Sequence, residues 1–116
     1  MKVGEYARLN NTLYNTVVIL KIMEVYDNTI LTENDGSIFQ GEYSKDEIIK
    51  HSYNIIDLIE VGDYVNGSYI YSVVEENKNT GQLRVLFTEE DGVLGAGDIK
   101  SIVTKEQFEN MEYKVN

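Results

Sequence analysis

Val61-Gly62-Asp63-Tyr64 repeats, with one acid exchanged for another, the block Val3-Gly4-Glu5-Tyr6 that stands 58 residues before it. A second block, Thr32-Glu33-Asn34-Asp35-Gly36, returns 56 residues later as Thr88-Glu89-Glu90-Asp91-Gly92. A looser echo, Glu47-Ile48 and then Asp98-Ile99, keeps the order at a reduced offset, as a shortened loop in the second copy would produce. Two ordered matches at nearly one spacing point to two copies of a single unit. The units fall at residues 1–59 and 60–116.

Each unit reads as a run of short strands. Val17, Val18, Ile19, Ile22 and Val25 are β-branched, so 17–25 is a strand even though its apolar spacing also suits a helix. Thr29 to Thr32 and Ser37 to Glu42 flank Asp35-Gly36, which predicts a hairpin turn there. In the second unit Tyr69, Tyr71 and Val73 alternate with Ile70, Ser72 and Val74, and Leu83, Val85 and Phe87 alternate with Arg84, Leu86 and Thr88. The polar stretch Asn77-Lys78-Asn79-Thr80-Gly81 joins them, and Asp91-Gly92 makes the next tight turn. Gly92-Val93-Leu94-Gly95-Ala96-Gly97 reads as a flexible hairpin arm, since it opens no predicted helix.

Helices are minor. Thr104 with Gln107 forms a capping box for a short helix over 105–110, Ser44 with Glu47 forms another, and 54–59 suits a single turn. A unit of four or five short strands with one helical turn has the size of a small SH3-like barrel. The fold class expected is therefore mostly β: two tandem SH3-like small barrels, or a fused pair of antiparallel sheets.

Composition narrows the function. The 116 residues carry 20 acidic against 10 basic side chains, a formal charge of −10 that repels phosphate backbones and favours a basic protein partner over direct nucleic-acid binding. Absence of cysteine removes disulfides, zinc-thiolate sites and thiol nucleophiles. With no apolar run near membrane length and no charged-then-apolar leader at Met1 to Glu5, a cytoplasmic protein off the membrane is expected.

Enzyme signatures are missing, and neither a catalytic residue nor a cofactor is expected. His51 is the single histidine, and its neighbour Ser52 cannot be placed under the imidazole by adjacency alone. No glycine pattern ends in Lys-Ser or Lys-Thr, as a P-loop requires. Glu33, Asp35 and Glu42, and again Glu89, Asp91 and Asp98, resemble part of a calcium loop. The first ligand position in each is apolar, Leu31 and Phe87, so turn formation explains them better than a metal.

Nine tyrosines are the remaining signal. Tyr6 and Tyr64 hold equivalent repeat positions and read as packing residues of their own units. Tyr69 and Tyr71 share one strand face and, with Glu75 and Glu76, form a candidate aromatic and acidic strip. Glu89, Glu90 and Asp91 make the densest acidic cluster, expected to converge with Glu75 and Glu76 at one edge of paired strands. These seven residues are the candidate partner-binding set.

Three stretches carry a resemblance: Met1-Lys2-Val3-Gly4-Glu5-Tyr6 at the start, 55–67 from Ile55 through Val61-Gly62-Asp63-Tyr64 to Gly67 in the centre, and 102–109 from Ile102 through Thr104-Lys105 to Glu109 at the end. Together they are similar to small accessory proteins of phages and prophages of Gram-positive bacteria, and through them to anti-CRISPR inhibitors of the type II RNA-guided nuclease. Residues 66–97 carry little of it. The resemblance implies stoichiometric inhibition inside an infected host, by contact with a CRISPR effector nuclease or its guide-RNA complex. Such a nuclease holds RNA and DNA in positively charged channels, which suits an acidic ligand. The alternative is a phage adaptor or assembly protein that docks on another phage or host protein without inhibiting it.

Overall fold

A computed structural model of the chain describes residues 1–75 and 84–111. Glu76, the stretch 77–81, Leu83 and Tyr113 lie outside the described residues. Among the described residues strand accounts for 47% and helix for 16%, so the fold is mostly β, as the alternation predicts. Two compact units, Met1–Leu58 and Ile59–Asn116, each carry one antiparallel five-stranded sheet curled into a half-barrel.

In the first unit the strands are β1 (Tyr6–Asn11), β2 (Thr16–Val25), β3 (Thr29–Thr32), β4 (Glu42–Ser44) and β5 (Ile48–Ser52), in the spatial order β4-β3-β2-β1-β5. Period-two alternation sends Ala7 and Leu9 of β1, and Val18, Leu20 and Ile22 of β2, into a core closed by Ile30 and Tyr43. Val25, Phe39 and Ile48 pack against it. Each fully buried Leu or Ile here is worth about 1.5–3 kcal/mol relative to exposure. Arg8 is 1% exposed, and its guanidinium donates to the Leu58 carbonyl at 3.0 Å. That bond ties β1 to the 3-10 turn Ile55–Leu58.

In the second unit β6 (Tyr64–Val65), β7 (Ser68–Glu75), β8 (Arg84–Thr88), β9 (Gly92–Leu94) and β10 (Ile102–Val103) take the order β10-β6-β7-β8-β9, followed by α1 (Lys105–Met111). Val65, Ile70, Leu86 and Leu94 face inward and are buried. Thr104 caps α1 as the sequence predicts: its hydroxyl accepts from the Gln107 amide at 3.2 Å, and the Gln107 side chain accepts from the Thr104 amide at 3.2 Å.

Both sheets therefore place the unit's first strand between its last and its second, and both insert a 3-10 turn before the last strand. These turns are Lys45–Glu47 and Ala96–Asp98, each closed by an acid that accepts from an amide three residues back. The Val-Gly-acid-Tyr blocks also do the same work twice. Gly4 and Gly62 have φ of +95° and +99°, conformations that L side chains rarely adopt. Beyond each glycine the chain bonds the second strand: Gly4 N to Ile22 O and Ile22 N to Glu5 O, then Gly62 N to Ile70 O and Ile70 N to Asp63 O, all at 2.8–2.9 Å. Just past Ile22 and Ile70 the pairing with the next strand shifts register, leaving Met23 and Tyr71 as bulged residues.

Two local expectations are corrected. Asp35-Gly36 does not join two strands directly, because β4 begins at Glu42 and residues 33–41 form a long loop. Its carboxylate is spent locally, accepting from the Ser37 amide at 2.9 Å and hydroxyl at 2.7 Å, which holds it below the ordinary Asp range. The stretch 92–97 is a hairpin arm only over 92–94, where β9 pairs with β8 because Leu94 has a core position to fill; beyond it the chain enters a 3-10 turn.

Candidate protein-binding face of the second sheet

Residues of β7, β8 and β9 that point away from Ile70, Leu86 and Leu94 form the outer face of the second sheet. Tyr71 stands at the bulge, and Ser72, Phe87 and Val93 sit across from one another on the three strands. Tyr71 and Phe87 lie 6.4 Å apart between ring centroids. Val74 is opposite Val85 one step further along. Tyr71, Val74 and Val93 are 52%, 40% and 56% exposed, a concentration of apolar surface that a sheet facing only water has no reason to carry.

A second aromatic group adjoins it. Tyr64 and Tyr69 are cross-strand neighbours in an edge-on contact at 5.5 Å, and Phe108 of α1 stacks on Tyr64 at 4.2 Å with planes 21° apart. Tyr69 is half-buried by this arrangement, so it supports the face more than it presents itself. Tyr6 and Tyr64 are likewise half-exposed and belong to no inward-facing core.

Glu89, Glu90 and Asp91 form the turn from β8 to β9, and all three side chains are exposed. The backbone beneath them is held: the Glu89 amide donates to Tyr69 O at 3.3 Å, that of Glu90 to Ser68 Oγ at 3.2 Å, and that of Asp91 to Thr88 Oγ1 at 2.8 Å. Three like charges thus project from a turn whose shape is fixed. Glu75 does not join them. It pairs with Arg84 at the far end of the β7–β8 ladder, while the acidic turn adjoins the Ile70–Thr88 end. At about 3.4 Å per residue along β8 the two ends are roughly 14 Å apart, and Arg84 Nε stands 3.6 Å from Glu75 Oε1. The expected convergence fails because antiparallel pairing sends the two acidic segments to opposite ends. Glu76 lies outside the described residues.

Thus Tyr71 and the triad Glu89, Glu90 and Asp91 stay together as an exposed set, Tyr69 serves from below, and Glu75 stands apart. Phe87, Val93 and Val74 complete the face but escape a reading by residue type. Phe87 was legible as an alternating strand residue, whereas the exposure of Val93 depends on the 92–94 segment being a strand. Phe108 is recognisable only through its stacking on Tyr64, a tertiary contact.

The single histidine and its neighbours are engaged elsewhere. His51 Nδ1 lies 3.0 Å from Glu5 Oε1, while Ser52 Oγ donates to Asp57 Oδ2 at 2.6 Å, so the two neighbours on β5 serve different partners. Hydrogen bonding from His51 holds the Glu5 carboxyl below its ordinary value. Among the described residues no group of three or more His, Cys, Asp or Glu side chains is placed to hold a metal ion, and no helix is long and apolar enough to cross a membrane. No protein-family model, curated protein or solved structure matches the chain.

Proposed function

We propose that this chain is a non-enzymatic binding protein that grips a basic protein surface with the outer face of its second sheet. One observation carries the reading: exposed Tyr71 and Val93 flank half-buried Phe87 in an apolar patch beside the fixed turn Glu89-Glu90-Asp91. Apolar anchors of this kind supply affinity once desolvated, and a rim of one charge sign speeds encounter and selects the partner. At a formal charge of −10, a phosphate backbone is a poor partner and a lysine- or arginine-rich channel a good one.

The resemblance to phage accessory proteins supplies the specific candidate, a type II RNA-guided nuclease of a Gram-positive host. Bound in its positively charged channel, carboxylates would stand where phosphates belong, and inhibition would be stoichiometric. Co-purification with the nuclease, with and without guide RNA, followed by a cleavage assay, tests this. The expected result is a one-to-one complex in at least one guide state, with cleavage blocked at equimolar inhibitor. A stable complex that leaves cleavage intact would favour the adaptor role instead, and no complex in either state would remove this nuclease as the partner.

A further inference from the structure

The two sheets share a strand order but not their loops, and the difference gives the first unit a cleft with aromatic walls. Where β6 and β7 are joined by Asn66-Gly67, both at positive φ as a two-residue hairpin turn requires, β1 and β2 are joined by residues 12–15. Where β8 and β9 are joined by residues 89–91, β3 and β4 are joined by 33–41. Loops enlarged on an otherwise shared scaffold are where binding residues concentrate. Together with β4 and the 3-10 turn, these two loops enclose a cleft of about 250 Å³. That is below the ~300 Å³ floor for drug-sized ligands and suits a single side chain.

The walls of this cleft are unusual for a loop end. Tyr14 and Phe39 meet edge to face at 5.7 Å and 88°, and Leu13, Ile38 and Tyr14 are 82%, 65% and 45% exposed. The loops are braced from beneath: Tyr14 N donates to Asn11 Oδ1 at 2.9 Å, Asn11 Nδ2 to the Tyr43 hydroxyl at 2.8 Å, and that hydroxyl to Phe39 O at 2.6 Å. Burial raises the Tyr43 hydroxyl above its ordinary pKa, which keeps it a donor. Glu42 and Glu47 complete the lining, and no Lys, Arg or His is among the described residues that form it. At the corresponding place in the second unit the lining is Asn66, Asp91, Leu94, Asp98 and Lys100 with small residues, so a cation is already part of the lining and aromatic walls are missing.

We infer that the cleft of the first unit binds a lysine or arginine side chain of an extended, partly apolar peptide segment in a partner protein. Aromatic and aliphatic walls match the methylene stem, Tyr14 and Phe39 present π-faces or edges to the cation, and Glu42 and Glu47 supply the counter-charge. Leu13 and Ile38, at the rim, cover apolar neighbours of the inserted residue. A second copy of this chain is a poor occupant, since each brings a charge of −10. The inference does not rest on the reading of the second sheet and is tested apart from it.

The test is fluorescence polarisation with a labelled peptide alternating lysine, arginine and leucine, against the same peptide with acetyl-lysine and citrulline at the charged positions. The intact chain should bind only the cationic peptide. Glu42→Gln with Glu47→Gln, which keeps the capping acceptor, should weaken binding roughly tenfold or more, and Leu13→Ser with Ile38→Ser should weaken it as well. Asp27→Asn with Glu109→Gln, at exposed positions away from the cleft and from the outer face of the second sheet, removes as much charge elsewhere and should change it less than twofold, with folding of every variant checked by circular dichroism. Equal binding of the neutralised peptide, equal loss in both carboxylate pairs, absence of binding, or self-association through this loop end would each overturn the assignment.

Discussion

Glu42 of β4 and Val93 of β9 occupy the same place in the two sheets. Each pairs with the outward residue of the preceding strand, Leu31 for Glu42 and Phe87 for Val93. One scaffold thus carries a charged outer row, Glu24-Leu31-Glu42, in the first unit and an apolar one, Ser72-Phe87-Val93, in the second. Because the fold tolerates a carboxylate at this position in one copy, the apolar choice in the other is not demanded by packing.

Val93→Glu should accordingly leave the second unit folded, with stability within about 0.5–1 kcal/mol of the parent, as for other exposed positions. Urea titration followed by circular dichroism checks this. A large loss of stability would mean that the outer face is structural after all.

Asp63 is fully buried, and it accepts from the Glu60 amide at 2.8 Å and the Lys105 amide at 3.0 Å. It therefore fastens the start of α1 to the turn before β6. Asp63→Ala strands two part-buried donors beside a buried site and should cost about 2–3 kcal/mol. Asp63→Asn retains one oxygen acceptor and should cost less. Urea midpoints of the two variants give the comparison.

Thr104→Ala removes the hydroxyl cap of α1, and the loss should be about 1 kcal/mol. Phe108 would then hold its place on Tyr64 less firmly, and the near-ultraviolet circular dichroism of the tyrosines should weaken along with stability.

The first unit should show a dependence on acid that traces to Glu5. Hydrogen bonding from His51 lowers the folded-state value of this carboxyl, with the Lys2 amide acting in the same direction. A depressed folded pKa contributes stability that is present above the unfolded value, about 4.3, and is lost as pH falls through the folded value. Glu5→Gln should flatten the stability curve below that point while changing its slope little near neutrality. Denaturant titrations across the acid range measure both arms.

Much of the fold was legible because its signals are local. The β-branched run at 17–25, the alternation through Arg84 to Thr88 and the capping boxes at Ser44 and Thr104 each depend on residues within a few positions of one another. What was misread depends on partners far along the chain. Ser37 to Glu42 looked like a strand beside Asp35-Gly36, yet pairing starts at Glu42, because Tyr43 must reach the core beside Ile30. The stretch 92–97 looked like a flexible hairpin arm throughout, yet only 92–94 pair, with Leu94 opposite Leu86. At the candidate site, composition identified Tyr71 and the acidic turn. The separation of Glu75 from that turn required the strand register, and the cleft at Tyr14 and Phe39 required two loops distant in sequence to meet.

The affinity of the purified chain for the guide-free and guide-loaded type II nuclease, measured at low and high salt for the parent and for Val93→Glu, addresses the central claim most directly. The account predicts one-to-one binding in at least one guide state that weakens as salt rises and falls about tenfold or more with the added carboxylate. Binding of equal strength for both proteins at every ionic strength, or none in either guide state, would contradict it.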